Sequence, residues 1–124
     1  MPTDPSNWIA PDYRTIQLCD RDGSICAIVD AEDYDWAKQW LWSYKMSKKG
    51  INRKEKYYAR RVKRVGSVQT TIWLHKEIAA RAYGIPKSRK KTIVDHKDGN
   101  SLNCRRNNLR WVTPSQNAKN RVRY

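Results

Sequence analysis

The sequence predicts an α+β fold, in which a small antiparallel β-sheet with its helices lies upstream of a C-terminal module of strand, loop, strand and helix. Three observations support this class. Short segments of alternating or β-branched residues are separated by turn sequences, two segments carry apolar residues at helical spacing, and a strong helix-start pattern follows the last strand. With 124 residues, the chain has room for one modest core or two very small modules.

The first 44 residues are expected to form a flexible arm, a β-hairpin and a short helix. Residues 1–13 contain three prolines and no periodicity, which is typical of a loose arm. Residues 14–19 and 25–29 have strand patterns, and the turn residues between them predict a hairpin. Asp30 is a suitable N-cap for a helix over residues 31–39.

The segment from residue 42 to residue 84 is expected to form a three-stranded sheet followed by a helix. Strands are predicted over residues 42–46, 56–63 and 68–74. The helical spacing of apolar side chains predicts a helix over residues 75–83 that stops at Gly84. We therefore group residues 14–84 as an N-terminal α+β region and residues 85–124 as a separate C-terminal module.

Two strands of the C-terminal module are expected to surround a polar loop. Residues 92–94 have strand character, and Asp95 and His96 follow where the chain is expected to turn. The asparagines and the glycine of residues 98–103 are typical of a long loop. Residues 109–112 then form the expected returning strand.

A helix start is predicted directly after this strand. Thr113 and Gln116 have the spacing of a capping box, and Pro114 stands at the first helical position. Asn117 is then expected in the first turn of the helix, facing back toward the two strands. Strand, loop, strand and helix are thus arranged around one polar centre.

Charge is unevenly distributed along the chain, which carries a net charge of +14. Residues 1–44 contain three basic and eight acidic side chains, a balance of −5. Residues 45–124 contain 23 basic and four acidic side chains, a balance of +19. A segregated positive field of this size, interleaved with aromatic residues, favours a nucleic acid partner over a merely solvated basic surface.

Several classes of protein are disfavoured by composition. The longest apolar run, residues 25–29, is too short to cross a bilayer, and the N-terminus lacks the pattern of a secretory signal. Three cysteines without a C-x-x-C pair disfavour both a disulfide framework and a cysteine-rich zinc site. Cys104 is interpreted as an incidental thiol of the loop. A reducing, cytoplasmic location is expected.

The polar residues of the C-terminal module resemble a known active site. Asp95 and His96, then Asn108 twelve residues after His96, then Asn117 nine residues further on, resemble the HNH nucleases with the ββα-metal fold. The most similar subgroup is the phage and intron-associated endonucleases, which include homing enzymes. The resemblance is close over residues 92–120 and extends more loosely to the helix over residues 74–83.

This resemblance implies a role for each matching residue. Asp95 and Asn117 would hold one Mg²⁺ or Mn²⁺ ion, and the presence of Asn117 where the family has a second ligating histidine favours hard cations over zinc. His96 would be the general base that activates water. Asn108 would fix the loop and orient His96 through a hydrogen bond. Products would carry 5′-phosphate and 3′-hydroxyl ends.

Two further residues near this centre are candidates for the chemistry. Arg110 lies on the returning strand beside the polar centre, and we expect it to stabilise charge in the transition state. His75 is a weaker candidate, because a histidine at a helix start more often bonds to backbone or phosphate.

Double-stranded DNA is the expected substrate, and basic side chains of two regions are expected to hold it. The first group lies on or beside the three-stranded sheet: Lys56, Tyr58, Arg60, Arg61, Lys63 and Arg64. The second group flanks the catalytic loop and helix: Arg105, Arg106, Lys119 and Arg121. The competing interpretation is that the aromatic residues pack the sheet while the cations only solvate it.

Three functions are therefore considered. The first is a metal-dependent HNH endonuclease that nicks DNA as a monomer, or that cuts both strands as a homodimer or in two successive nicks. The second is a DNA-binding or packaging factor with little or no cleavage. The third is an RNA-directed nuclease. Homing, restriction and packaging remain open as biological roles.

Overall fold

A computed structural model describes residues 12–19, 24–47, 56–86 and 93–116 of the chain. The fold is mixed α and β, with three small antiparallel sheets and short helices. In chain order the elements are β1 (Tyr13–Gln17), β2 (Cys26–Asp30), α1 (Ala31–Ala37), β3 (Ser43–Ser47), β4 (Lys56–Val65), β5 (Val68–Trp73), α2 (Leu74–Tyr83), β6 (Ile93–His96), a one-turn 3-10 helix (Arg106–Asn108) and β7 (Leu109–Val112).

Each sheet is built from strands that are neighbours in the sequence. β1 pairs with β2, β3 pairs with β4 and β4 with β5, and β6 pairs with β7, all antiparallel. The turn between β4 and β5 contains Gly66, whose φ of +61° lies in the left-handed region that glycine adopts without strain. The hairpin and the three-stranded sheet that the turn residues predicted are therefore both present.

Several element boundaries differ from the prediction by one or two residues. The first strand of the C-terminal module continues through Asp95 and His96, because Asp95 pairs with Arg110 and His96 pairs with Leu109. The two polar side chains thus lie on the sheet rather than in a turn. α1 ends at Ala37, two residues earlier than expected.

The prediction that the Asp30 side chain caps α1 is wrong. Asp30 occupies the N-cap position with extended backbone, but its side chain makes no capping hydrogen bond. The carboxylate instead accepts hydrogen bonds from Arg105 Nε at 2.9 Å and from the backbone N–H of Arg106 at 2.8 Å. An N-cap preference describes what an aspartate can do locally, and here a charged partner distant in sequence binds it instead.

One cluster of buried side chains spans the described residues. It takes Leu18 and Val29 from the first hairpin, Leu74 and Ile78 from the start of α2, and Leu109 from β7, all of them almost fully buried. Side chains on both sides of the expected boundary at residue 84 therefore share one core. The arm over residues 1–13 lies almost wholly outside the described residues, as does most of the linker over residues 85–91.

Cys104 belongs to this core and is not an incidental loop thiol. Its side chain is fully buried, and its backbone N–H donates to Ile28 O at 2.7 Å. Burial raises the pKa of the Cys104 thiol to about 12, so the group is neutral at physiological pH. In the described part of the chain, none of the helices combines the length and apolar character that crossing a bilayer requires.

Candidate active site

The β6–β7 hairpin presents the polar residues of the site. Asp95 lies directly opposite Arg110, and the Nε of Arg110 donates to Asp95 Oδ2 at 3.0 Å. The Asp95 side chain is almost buried whereas the Arg110 side chain is half exposed. The residue expected to ligate a metal and the residue expected to stabilise transition-state charge are therefore joined in one ion pair.

His96 follows at the end of β6 and is buried, with 9% of its surface exposed. Burial is the main cause that lowers its pKa to about 4, and it outweighs the opposite effect of Asp98 and Asp95. The ring is therefore neutral at physiological pH, which is the form that a general base needs. Its Nε2 atom is closed to solvent and has no hydrogen-bond partner.

A second histidine contacts the first. His75, near the start of α2, has its ring centre 5.0 Å from that of His96. The ring centre of Tyr58 lies 5.7 Å from that of His75 and 6.1 Å from that of His96, and the ring centre of Trp73 lies 6.0 Å from that of His75. His75 is 7% exposed, and burial lowers its pKa to about 3. The sequence identified His75 only as a weaker candidate, because its proximity to His96 depends on how α2 packs against β6.

Asn108 holds the loop that follows His96. Its side-chain Oδ1 accepts from the backbone N–H of Asp98 at 3.0 Å, and its Nδ2 donates to Asp98 Oδ1 and to Asn103 O, both at 2.9 Å. Its backbone carbonyl accepts from the N–H of Lys97 at 2.8 Å. These bonds fix the two residues directly after His96. The Asn108 side chain thus secures the loop, and its hydrogen bonds go to Asp98 and Asn103.

Asp98 is the centre of the loop's internal hydrogen bonds. Its carboxylate accepts from Asn103 Nδ2 at 2.8 Å and from the Asn100 N–H at 2.8 Å, in addition to Asn108. Partial burial opposes ionisation, but these bonds prevail and lower the pKa of Asp98. The asparagine-rich sequence therefore works as a set of donors to one carboxylate.

Acidic residues of the N-terminal region hold the same loop from outside, which the sequence did not indicate. Asp33, on α1, is fully buried and accepts from Arg106 Nε at 2.9 Å, from Arg106 Nη2 at 2.7 Å and from Arg81 Nε at 3.3 Å. Arg105 is bound by Asp30 and also by Asp12, at 2.8 Å. An amphipathic pattern does not predict such pairs, because they join residues that are distant in the sequence, such as Asp33 and Arg106.

These contacts change how Arg105 and Arg106 are interpreted. Both were expected to contact DNA phosphates, but their guanidinium groups already bind carboxylates within the chain, and these carboxylates raise the pKa of both arginines. Backbone bonds add to this attachment, because Ile28 N–H donates to Leu102 O at 2.8 Å. The N-terminal hairpin and α1 therefore support the loop of the candidate site.

The expected DNA-contacting residues of β4 divide between the two faces of the strand. Because successive strand residues point to opposite faces, Lys56, Tyr58 and Arg60 share the face that meets the histidines. Arg61 lies on the other face, where its guanidinium carbon is 4.1 Å from the ring centre of Trp40. Lys63 and Arg64 lie on the exposed end of the strand, where Arg64 Nη2 donates to Gln69 Oε1 at 3.1 Å.

The helix start after β7 has the expected cap. The N–H of Thr113 donates to Gln116 Oε1 at 2.9 Å, and the N–H of Gln116 donates to Thr113 Oγ1 at 3.2 Å, which is a reciprocal capping box. Residues 114–116 are helical. Asn117, Lys119 and Arg121 lie outside the described residues, so their expected roles remain predictions.

The donors present suit a hard cation better than zinc. Among the described residues, no three His, Cys, Asp or Glu side chains cluster to hold a metal. Asp95 supplies a carboxylate on β6, and carboxylate and amide oxygens are donors that Mg²⁺ and Mn²⁺ accept together with water. The residues therefore fit an open site with few protein ligands.

Comparison with known proteins supports a family for this part of the chain. Neither a curated protein nor a solved structure matches the chain. The model of the family described as HNH endonuclease matches residues 73–119, which span α2, both histidines, the loop and β7. Residues 73–119 are therefore similar to the HNH endonuclease family.

Proposed function

We propose that the protein is a metal-dependent DNA endonuclease of the phage or homing type that hydrolyses phosphodiester bonds. The observation that carries the proposal is the neutral, buried imidazole of His96 beside the carboxylate of Asp95 on one β-hairpin. The family match over the same residues and the strongly basic charge of the chain support a nucleic acid substrate.

Asp95 and Asn117 would hold one Mg²⁺ or Mn²⁺ ion in this proposal. When bound, such an ion supplies stabilisation of negative charge on the phosphate and on the leaving oxygen. Arg110 already contributes positive charge at Asp95, and its half-exposed guanidinium can also reach a phosphate of bound DNA.

His96 takes a proton from the attacking water in the hydrolytic step. The oxygen of that water forms a bond to phosphorus as the bond from phosphorus to the 3′ oxygen breaks. The departing 3′ oxygen takes a proton from solvent water, which leaves a 5′-phosphate and a 3′-hydroxyl. His96 suits this step because burial keeps its ring unprotonated at physiological pH. Asn108 contributes by fixing the residues directly after His96.

Basic residues of β4 would guide the DNA backbone toward the hairpin. Lys56 and Arg60 share a strand face with Tyr58, whose ring contacts both histidines. Lys63 and Arg64 extend the positive surface along the exposed end of the strand. One site in a monomer hydrolyses one strand, so nicking is the basic activity, and a homodimer or a second event would give a double-strand break.

A plasmid-nicking assay tests the proposal. Supercoiled DNA should be converted to the open-circular form with Mg²⁺ or Mn²⁺, and EDTA should abolish the conversion. The Arg110–Asp95 ion pair is the one observation that favours a non-cleaving DNA-binding protein, because the arginine occupies a carboxylate expected to hold the metal. Tight DNA binding without nicking in either metal would establish that alternative. Competition between duplex DNA and RNA tests the choice of substrate.

A further inference from the structure

Two touching histidine rings each have one nitrogen without a partner. The ring centres of His75 and His96 are 5.0 Å apart and the ring planes are tilted by 54°. The Nδ1 atom of His75 and the Nε2 atom of His96 are both closed to solvent and make no hydrogen bond. Buried polar atoms in proteins are nearly always paired, so two such atoms on neighbouring rings require an explanation.

The position of the unpaired atom on His96 determines which nitrogen can act as the base. Nε2 is closed to solvent, so it cannot contact a water molecule. If His96 is the base, it must therefore accept the proton on Nδ1. Nδ1 accepts a proton only if it carries the lone pair, so the neutral ring must hold its own proton on Nε2. A buried Nε2–H with no acceptor would destabilise this tautomer. The base therefore needs a hydrogen-bond acceptor close to Nε2.

We propose that His75 is the positioning residue that provides this acceptor. Its Nδ1 accepts a hydrogen bond from the Nε2–H of His96, which fixes the tautomer of His96 and the direction of its Nδ1. The inference rests on the proposed function, since it concerns the same base. The two rings are already in contact, with their centres 5.0 Å apart.

The surroundings of His75 suit it to this role. Burial is the main cause that lowers its pKa to about 3, so the ring stays neutral and Nδ1 stays an acceptor at physiological pH. Tyr58 and Trp73 contact the ring and limit its movement. A residue needed only for packing would be better served by phenylalanine, which fills similar space and leaves no buried nitrogen unpaired.

Nuclear magnetic resonance of the ¹⁵N-labelled full-length protein tests the hydrogen bond directly. We expect His96 to carry its ring proton on Nε2 and to have no proton on Nδ1. We also expect a measurable coupling between His96 Nε2 and His75 Nδ1 across the hydrogen bond. The opposite tautomer of His96, or the absence of this coupling, would overturn the proposal. This measurement needs no cleavage, so its result stands whether or not the protein proves to be a nuclease.

Two variants of His75 test the consequence for the reaction. His75→Phe should lower kcat by about tenfold to hundredfold, with unchanged KM and an unchanged or higher melting temperature. His75→Asn should recover part of the loss, because an amide oxygen can take the place of Nδ1. The neighbouring exposed variant Lys76→Gln should cleave at the wild-type rate.

Other outcomes of this series are equally decisive. An unchanged kcat in His75→Phe would show that the base needs no acceptor from His75. Equal losses in His75→Phe and His75→Asn, each with a lower melting temperature, would assign His75 to packing. Absence of cleavage by the wild-type protein in every divalent ion would count against the proposed function, while the coupling across the two rings would still decide the pairing.

Discussion

Burial of His75 has a cost that depends on pH. The pKa of His75 is lowered to about 3 from its ordinary value of 6.5, mainly by burial. Between these two values the unfolded chain binds a proton at His75 that the folded chain does not. Stability that is present above pH 6.5 is therefore lost as the pH falls, by up to about 1.4 kcal/mol per pH unit.

This effect predicts a difference between the wild-type protein and His75→Phe. Urea denaturation at about pH 7.5, 6 and 5 should show a free energy of unfolding that falls more steeply in the wild-type protein, by up to about 1.4 kcal/mol per pH unit below pH 6.5. Parallel pH profiles of the two proteins would mean that His75 is not neutral and buried in solution.

Arg110 makes a separate prediction at the residue scale. In Arg110→Gln, the carboxylate of Asp95 loses the guanidinium that now binds it at 3.0 Å. Removal of this positive charge should tighten Mn²⁺ binding by about threefold to tenfold. The cleavage rate at saturating metal should fall by about tenfold or more, because charge stabilisation near the phosphate is lost.

Calorimetric titration with Mn²⁺ and single-turnover cleavage measure these two quantities separately. Lys38→Gln, which removes one exposed positive charge just beyond the end of α1, serves as the control for a general charge effect. Unchanged metal affinity together with an unchanged rate would remove Arg110 from both roles.

The contacts among the candidate site residues were predictable from the sequence to different degrees. Spacing and resemblance indicated Asp95, His96 and Asn108, because their positions follow from one local strand–loop–strand unit. The pairing of Asp95 with Arg110 follows from the register of the hairpin, which sequence patterns leave open. The contact of His75 with His96 depends on the packing of α2, so its closeness could not be derived from spacing.

At the element scale, α1 supports the loop of the candidate site. Asp33 is fully buried and binds Arg106 and Arg81, and Asp30 at the start of the helix binds Arg105 and the backbone of Arg106. The acidic N-terminal region therefore neutralises basic residues of the region that follows it.

Asp33→Asn should destabilise the fold by about 3 kcal/mol, at the low end for breaking a buried ion pair because the arginines partly reach solvent. Asp35 lies two residues away on the same helix and forms an exposed pair with Lys38, so Asp35→Asn should cost less than about 1 kcal/mol. Urea denaturation of both variants measures the difference. Similar losses in the two would contradict the supporting role of Asp33.

The arginines of the loop and the cations of β4 should differ in their effect on DNA binding. Each phosphate contact contributes about 0.9 to the slope of log affinity against log salt concentration. Lys63→Gln should reduce this slope by about one, whereas Arg106→Gln should leave it unchanged, because Arg106 is already bound by Asp33. Fluorescence anisotropy on duplex DNA over a range of salt measures both slopes. A reduced slope in folded Arg106→Gln would return that residue to the DNA interface.

Element types were largely predictable, and their mutual arrangement was not. Turn residues and periodicity indicated the two hairpins, the three-stranded sheet and α2, while the capping box of Thr113 and Gln116 marked the last helix start. Asp30 followed the local preference for an N-cap only in position, since its carboxylate is bound by the loop. Tyr83, at the end of α2, has a half-exposed side chain, and its hydroxyl donates to Arg106 O.

At the scale of the whole molecule, one core links the described segments of the chain. Side chains from the first hairpin, α2 and β7 pack together, and β4 contributes Tyr58 to the surroundings of both histidines. The proposed DNA-contacting sheet and the proposed catalytic hairpin are therefore in contact. Composition predicted a polyanion partner, but this joint packing depends on long-range contacts that no local pattern encodes.

The central claim is that the imidazole of His96 removes a proton from water during DNA hydrolysis. Single-turnover cleavage by His96→Ala, measured beside its DNA affinity, tests this most directly. We expect the rate to fall by at least about a hundredfold while the dissociation constant for duplex DNA stays within about twofold of the wild-type value. A variant that cleaves at the wild-type rate, or that loses DNA binding and folding together, would contradict the claim.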